Sequence, residues 1–291
     1  MANRDDESEG ATRPESSATR REFLMTALAV GFAAAVRPTA AEAVITTDTA
    51  GIVASEVRIR LPRASAPGYR AQPATASKLP LVVVVEEIFG VHEHIKDLCR
   101  RLAKQGYFAV APELFARQGN PAKMDDPQRI MTEIVAKTPD AQVMADLDAT
   151  VAWAVSSGCD PNKVAITGFC WGGRITWLYA AHSPRVKAGV AWYGRLDGNR
   201  SELQPKYPLD VAASVKAPVL GLYGGKDDGI PLEQVERMRT ALKAAGSKSD
   251  IVVYGDAGHG FNADYRPSYR ETDAQDAWKR MLAWFAANGV K

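Results

Sequence analysis

The chain has 291 residues, 46% hydrophobic and 24% charged, with a formal net charge of +2 at pH 7. That composition suits one large globular core and gives no basis for a nucleic-acid or membrane-surface partner. Three cysteines, an odd number, argue against a disulfide framework, and any catalytic imidazole must be one of His92, His94, His182 and His259.

Residues 1–43 read as a targeting segment. A polar, charged stretch leads into Thr19-Arg20-Arg21-Glu22-Phe23-Leu24, a twin-arginine signature. The uncharged, Ala-rich run Leu24–Val36 and the A-x-A cleavage site Ala41-Glu42-Ala43 follow. The run is shorter than the roughly 20 residues a bilayer span needs. The expectation is a Tat signal peptide over 1–43, read by the Tat export machinery, and a single domain over 44–291. The mature protein would carry no membrane span and would act in the periplasm or otherwise outside the cytoplasm. Cleavage would leave 31 Lys/Arg against 27 Asp/Glu, a net charge of +4.

Beyond the leader, the alternation of Val53–Leu61 predicts an edge strand, and Pro62–Pro80, rich in Pro, Ala and Ser, predicts a loop. The unbroken apolar run Leu81–Val85 predicts a strand buried on both faces. Helical periodicity covers Glu93–Lys104 and ends at Gly106; Tyr107–Ala111 is the next strand. Asp140–Val155 is a long amphipathic helix, apolar at Val143, Leu147, Val151 and Val155. Lys163–Thr167 is a strand and Arg174–Ala181 a helix-like segment. Val186–Trp192, Pro218–Tyr223 and Ile251–Tyr254 are further strands, with helices over Glu233–Ala244 and Glu271–Ala287. Strands alternating with helices predict an α/β domain, a mostly parallel sheet flanked by helices on both faces. Cys99 falls in a helical pattern and reads as a buried small apolar residue; Cys159 falls in the turn 157–161 and also reads as structural. An exported protein could bridge them, which the sequence alone does not favour.

Between Lys163–Thr167 and the helix after it stands Gly168-Phe169-Cys170-Trp171-Gly172. A G-x-C-x-G at a strand-to-helix junction is a nucleophile elbow with cysteine in place of serine. The turn would lift Sγ to the mouth of the sheet, where the N-terminus of the next helix favours thiolate. Two further motifs follow strands: Gly225-Lys226-Asp227-Asp228 and Gly258-His259-Gly260-Phe261. The order Cys170, Asp227, His259 is nucleophile, acid, histidine. His259 would move the thiol proton and Asp227 would hold the imidazole, with Asp228 as the competitor at that turn. His92 and His94, at the start of a helix, read as surface or capping residues that could also line the cleft. His182 ends the helix after the elbow, where a cation suits the dipole.

The chain resembles the dienelactone hydrolase (carboxymethylenebutenolidase) family of the α/β-hydrolase superfamily. The matching pieces run in order from about residue 54 to 287: Glu87-Ile88-Phe89-Gly90, Pro112-Glu113-Leu114-Phe115-Ala116-Arg117, the Cys170 elbow, Trp192-Tyr193-Gly194, Gly225-Lys226-Asp227 and Gly258-His259-Gly260-Phe261. The resemblance implies the α/β-hydrolase fold and a triad of Cys170, Asp227 and His259. It implies that Glu87 contacts the resting thiol and assists its activation, and that the backbone N–H groups of Ile88 and Trp171 form the oxyanion hole. It also implies that Arg117 binds a substrate carboxylate, and Trp192 and Tyr193 fall on the substrate side. Independently of the family, a carboxylate directly after an apolar strand needs a partner or a cleft, and Glu86 shares that position. Trp171 and Trp192 suit either an aromatic pocket wall or the core. The family's best-known members carry a second carboxylate-binding arginine four residues after the histidine. Ala263 stands there in this chain, leaving Arg266 or Arg195 as substitutes, or no second arginine at all.

These features predict an exported hydrolase that cleaves a small ester or lactone bearing a carboxylate, through a thioester on Cys170. No metal or organic cofactor is implied, because no His/Cys cluster has ligand spacing. The rivals are a broad carboxylesterase or thioesterase, a non-catalytic protein holding a small acid on the same fold, and a thiol-redox protein. The last lacks a C-x-x-C.

Overall fold

Leu81 to Val85 is buried at every position. Successive strand side chains point to opposite faces, so both faces of the sheet are covered there. The computed structural model describes residues 45–61, 64–75 and 77–291; the leader proposed for residues 1–43 lies outside them.

Among the described residues, eight strands form one sheet: β1 (Ile52–Leu61), β2 (Ala64–Pro73), β3 (Leu79–Val85), β4 (Phe108–Pro112), β5 (Cys159–Phe169), β6 (Val186–Trp192), β7 (Val219–Gly224) and β8 (Asp250–Tyr254). Their order is β1-β2-β4-β3-β5-β6-β7-β8. The pairs from β4 to β8 are parallel, and β1 and β2 extend the β4 edge antiparallel. The main helices are α1 (Glu93–Lys104), α2 (Asp140–Ser156), α3 (Trp171–His182), α4 (Leu232–Ala244) and α5 (Glu271–Ala287). Among the described residues, no helix is long and apolar enough to cross a membrane.

The sheet explains where the site lies. From β3 the chain moves outward to β4, then returns to β5 on the other side of β3 and continues outward to β8. The strand order therefore reverses between β3 and β5, and a parallel sheet opens a crevice beyond the carboxyl ends of the strands at such a point. Glu87 follows β3 and Cys170 follows β5.

The expected loop at Pro62–Pro80 is largely strand. β2 pairs with β1 from Leu61↔Ala64 to Ile52↔Pro73 and with β4 around Tyr69↔Ala111. Its side chains are mostly small, and Ala66, Tyr69 and Ala71 are its buried apolar members. The backbone ladder holds it, with too little hydrophobic alternation to announce a strand. Cys159 opens β5, paired with Leu79, rather than lying in a turn. All three cysteines are free thiols, so Cys99 and Cys159 are not bridged. Burial pushes the Cys99 thiol far up and the Cys159 thiol to about 12, so both are inert at neutral pH.

Candidate active site

The elbow is built by close backbone packing. A Cβ on Gly168 would stand 2.2 Å from the Gly172 carbonyl oxygen, and one on Gly172 would stand 2.5 Å from the carbonyl oxygens of Val85 and Glu86. No side chain fits either position, so β5, α3 and the end of β3 meet backbone to backbone. The turn forces Cys170 to φ 56°, ψ −114°, a region that costs a non-glycine residue about 1–3 kcal/mol. The Cys170 N–H donates to the Trp192 carbonyl at 3.1 Å, and its own carbonyl accepts from Gly173 at 3.0 Å. The strain is thus held by β6 on one side and α3 on the other. Trp171 is the first residue of α3, so its N–H has no intrahelical carbonyl to bond.

Asp227 and His259 come together because their loops interlock. Gly225 N–H donates to Tyr254 at 2.7 Å and Lys226 N–H to Ala257 at 2.8 Å. The His259 Nδ1–Asp227 Oδ2 distance is 2.8 Å, and Asp227 Oδ1 accepts the Gly229 N–H at 2.9 Å. Asp227 is buried and Asp228 exposed, which separates the two candidates at that turn. The His259 side chain also lies within hydrogen-bonding reach of Cys170. Burial pulls its imidazolium down, but the charges of Asp227 and Cys170 and the bonds to both outweigh burial and push it up to about 10. A proton on this ring is therefore held between a carboxylate and a sulfur.

Glu87 is fully buried and sits in a second network. Its Oε1 accepts from Arg266 at 3.0 Å; its Oε2 accepts from the Tyr265 hydroxyl at 2.5 Å and lies 3.2 Å from His92 Nε2. Tyr265 in turn accepts from Arg266 Nε at 3.0 Å. Burial alone would raise the Glu87 carboxyl, but Arg266 and His92 hold it well below the usual carboxylate range. The carboxylate expected at the thiol is thus engaged by Arg266, Tyr265 and His92. Arg266, its partner, lies near enough to Cys170 to feel the sulfur's charge. Sequence reasoning missed Tyr265 and read both histidines as surface or capping residues that could also line the cleft; His92 is the N-cap of α1, but its side chain makes no capping bond. His92 instead meets Glu87, and buried His94 contacts Asp264 at 3.1 Å. His182 does end α3, where Asp148 lies 2.9 Å away.

A cavity of about 380 Å³ opens over Cys170. Ile88, Trp171, Tyr193 and His259 line it with Cys170, and Met131, Val135, Tyr207 and Ile230 supply apolar wall from short helical turns and loops that sequence reasoning left unassigned. Tyr193 stands edge-on to His259, with ring centroids 5.2 Å apart. Trp192 is in the core instead: it is fully buried, stacks on Phe169 and donates to the Thr167 hydroxyl at 3.1 Å. Arg117 is likewise outside the cavity lining, with its guanidinium bonded to the Asp146 carboxylate. The arginines in the lining are Arg174 and Arg195. Arg174 is closed by two 2.7 Å bonds to Asp140, whereas Arg195 is exposed and has no carboxylate partner among the described residues. Among the described residues, no group of three or more His, Cys, Asp or Glu side chains could hold a metal ion.

Together these groups can do acyl-transfer chemistry: a sulfur at a strained turn, a histidine able to carry its proton, and beside the sulfur the Trp171 N–H, which has no intrahelical partner. Known proteins point the same way. The model of the dienelactone hydrolase family matches residues 66–289. A protein of Methylorubrum extorquens named "Putative carboxymethylenebutenolidase" is 59% identical over 277 residues, covering 95% of each chain. A more distant Bradyrhizobium protein, "Probable 2-oxo-3-(5-oxofuran-2-ylidene)propanoate lactonase", is 31% identical over 219 residues, 74% of this chain and 87% of its own. The crystal structure of a "Putative Dienelactone Hydrolase" from Klebsiella pneumoniae superposes with a TM-score of 0.80 at 58% identity, over 81% of this chain and 98% of its own.

Proposed function

The chain belongs to the dienelactone hydrolase family, hydrolases of lactone and ester bonds, and on that premise we propose that it opens a small lactone or ester with Cys170 as the nucleophile. The observation that carries this is the Cys170–His259–Asp227 relay on the floor of the cavity. The Cys170 thiolate attacks the substrate carbonyl carbon, and the oxyanion that forms is stabilised by the N–H groups of Ile88 and Trp171. The tetrahedral species collapses to a thioester as His259 gives its proton to the departing alkoxide. In a lactone that alkoxide stays tethered as the new hydroxyl. Water, deprotonated by His259, then attacks the thioester; the carboxylic acid leaves and the thiolate–imidazolium pair returns. Glu87 acts here by seating Arg266 beside the sulfur rather than by touching the thiol.

The substrate class follows from the arginines. Arg117, Arg174 and Arg266 each have a carboxylate already. Arg195 is left to receive an acid group on the substrate, which favours a carboxylate-bearing lactone over a neutral ester. The intact relay speaks against a protein that only holds small acids.

Mass spectrometry of protein quenched during turnover of a slow ester tests the chemistry. An acyl adduct is expected on the Cys170 peptide, absent in Cys170→Ala and accumulating in His259→Ala. Full activity in Cys170→Ala would sink the mechanism. We further propose that residues 1–43 are a Tat signal and that the remaining single domain works in the periplasm. Arg20-Arg21-Glu22-Phe23-Leu24 and Ala41-Glu42-Ala43 support this. Replacing both arginines by lysine should retain the protein in the cytoplasm at full precursor length.

A further inference from the structure

Glu86 is fully buried, and none of the chemistry above uses it. Its Oε1 accepts the Leu114 N–H at 2.8 Å. Its Oε2 is also buried and receives no hydrogen bond from an N–H or hydroxyl donor among the described residues. The Glu86 carboxyl group lies within hydrogen-bonding reach of the Glu113 carboxyl group and of the Phe115 N–H. Two ionised carboxylates in that contact would repel in a poorly solvated site. A single proton between them turns the contact into a strong O–H···O bond. We propose that Glu86 is a positioning residue for the oxyanion loop: it keeps a proton at neutral pH, donates it from Oε2 to Glu113, and so clamps the segment 86–91 to the turn after β4.

The surroundings show what such a clamp would hold. The Val91 N–H also lies within hydrogen-bonding reach of Glu113, and a Cβ on Gly90 would lie 3.1 Å from Glu113 Oε2. Glu86 and Val91 are thus both tied to Glu113, and Ile88 lies between them. The Glu86 carbonyl oxygen packs against Gly172 of the elbow. The turn after β4 carries Phe115, whose ring centroid is 4.5 Å from that of Trp171. One shared proton therefore fixes the Ile88 N–H relative to the elbow that carries the Trp171 N–H.

Burial first, and Glu113 second, push the Glu86 carboxyl well above the usual carboxylate range; burial raises Glu113 too. The other charges felt at Glu113 are Lys96 of α1, which lowers it, and Glu56 of β1, which raises it. Glu87 next door is engaged by Arg266, Tyr265 and His92. Because the folded-state value is raised, the clamp is complete below the ordinary carboxylate range and is lost as pH rises through the raised value.

The test has an arm that does not depend on activity. Difference infrared spectra of wild type against Glu86→Gln at neutral pH should show a protonated-carboxyl band in the wild type alone. On a neutral ester, Glu86→Ala should lower kcat by up to about 100-fold. Glu86→Gln, whose amide donates to Glu113 and accepts from Leu114, should restore kcat and weaken its alkaline decline. A wild type without the band at neutral pH would overturn the proposal, as would Glu86→Gln and Glu86→Ala losing kcat alike. Should Glu86→Ala not fold, the band and the Glu86→Gln profile decide. The role of Ile88 rests on the proposed oxyanion hole, whereas the band reports the proton even if Cys170 is not the nucleophile.

Discussion

Two buried ion pairs approach Cys170 from different parts of the sheet. His259 and Asp227 come from the loops after β8 and β7, Glu87 and Arg266 from the loops after β3 and β8. The first pair is open at one end: Asp227 anchors Nδ1, while the ring also faces the sulfur. The second is closed, because Arg266, Tyr265 and His92 engage both oxygens of Glu87. Their protons respond in opposite ways. The imidazolium is raised to about 10, whereas the carboxyl is held below its usual range. A pair facing the sulfur can shuttle a proton, and a pair sealed on itself can only supply a fixed field.

The sharpest way to break this comparison is to disable the open pair. Asp227→Asn keeps the shape but favours the wrong tautomer of His259, and kcat should fall about 10⁴-fold. Urea unfolding at several pH values gives a second reading. A histidine raised from 6.5 to about 10 contributes stability that is complete below 6.5 and lost as pH rises towards 10. That slope should flatten in Asp227→Asn. An unchanged slope and unchanged kcat would show that Asp227 does not hold the ring.

The closed pair should fail in the other currency, stability. Arg266→Met leaves Glu87 buried without its cation and should cost about 3–5 kcal/mol. Adding Glu87→Gln should recover part of that loss, since the double variant buries no unpaired charge. Chemical denaturation of both variants checks this. Equal stability of Arg266→Met and wild type would mean that the pair is not sealed.

The open pair was legible in the sequence and the closed pair was not. Asp227 and His259 each follow an apolar strand in a glycine-rich turn, so local patterning placed them. Glu87 meets Tyr265 and Arg266 across more than half the chain, and no period or motif links those positions. The engagement of Arg117 was hidden for a related reason: its motif register says nothing of Asp146 on α2, which holds it outside the cavity lining. Trp192 directly precedes Tyr193, yet the first faces the core and the second the cavity, where Tyr193 takes φ 37°. Helices with strong amphipathic period were placed within a few residues. β2 was missed because pairing, not side-chain pattern, defines it.

The smallest expected effect contrasts two arginines. Arg266 is sealed against Glu87, whereas Arg195 is exposed in the cavity lining. A charge-assisted bond to a substrate carboxylate contributes about 1.5–3 kcal/mol, towards the lower figure where the pair is exposed. Arg195→Gln should therefore raise KM about tenfold for a lactone bearing a carboxylate and leave a neutral ester of similar size unaffected, with kcat held in both. Arg195→Lys should recover part of the selectivity by charge alone, without the planar fork. Arg117→Gln should not discriminate between the two substrates, because Asp146 engages its guanidinium. The reverse outcome, with selectivity lost in Arg117→Gln and kept in Arg195→Gln, would return the acid-binding role to the position that the family motif suggests.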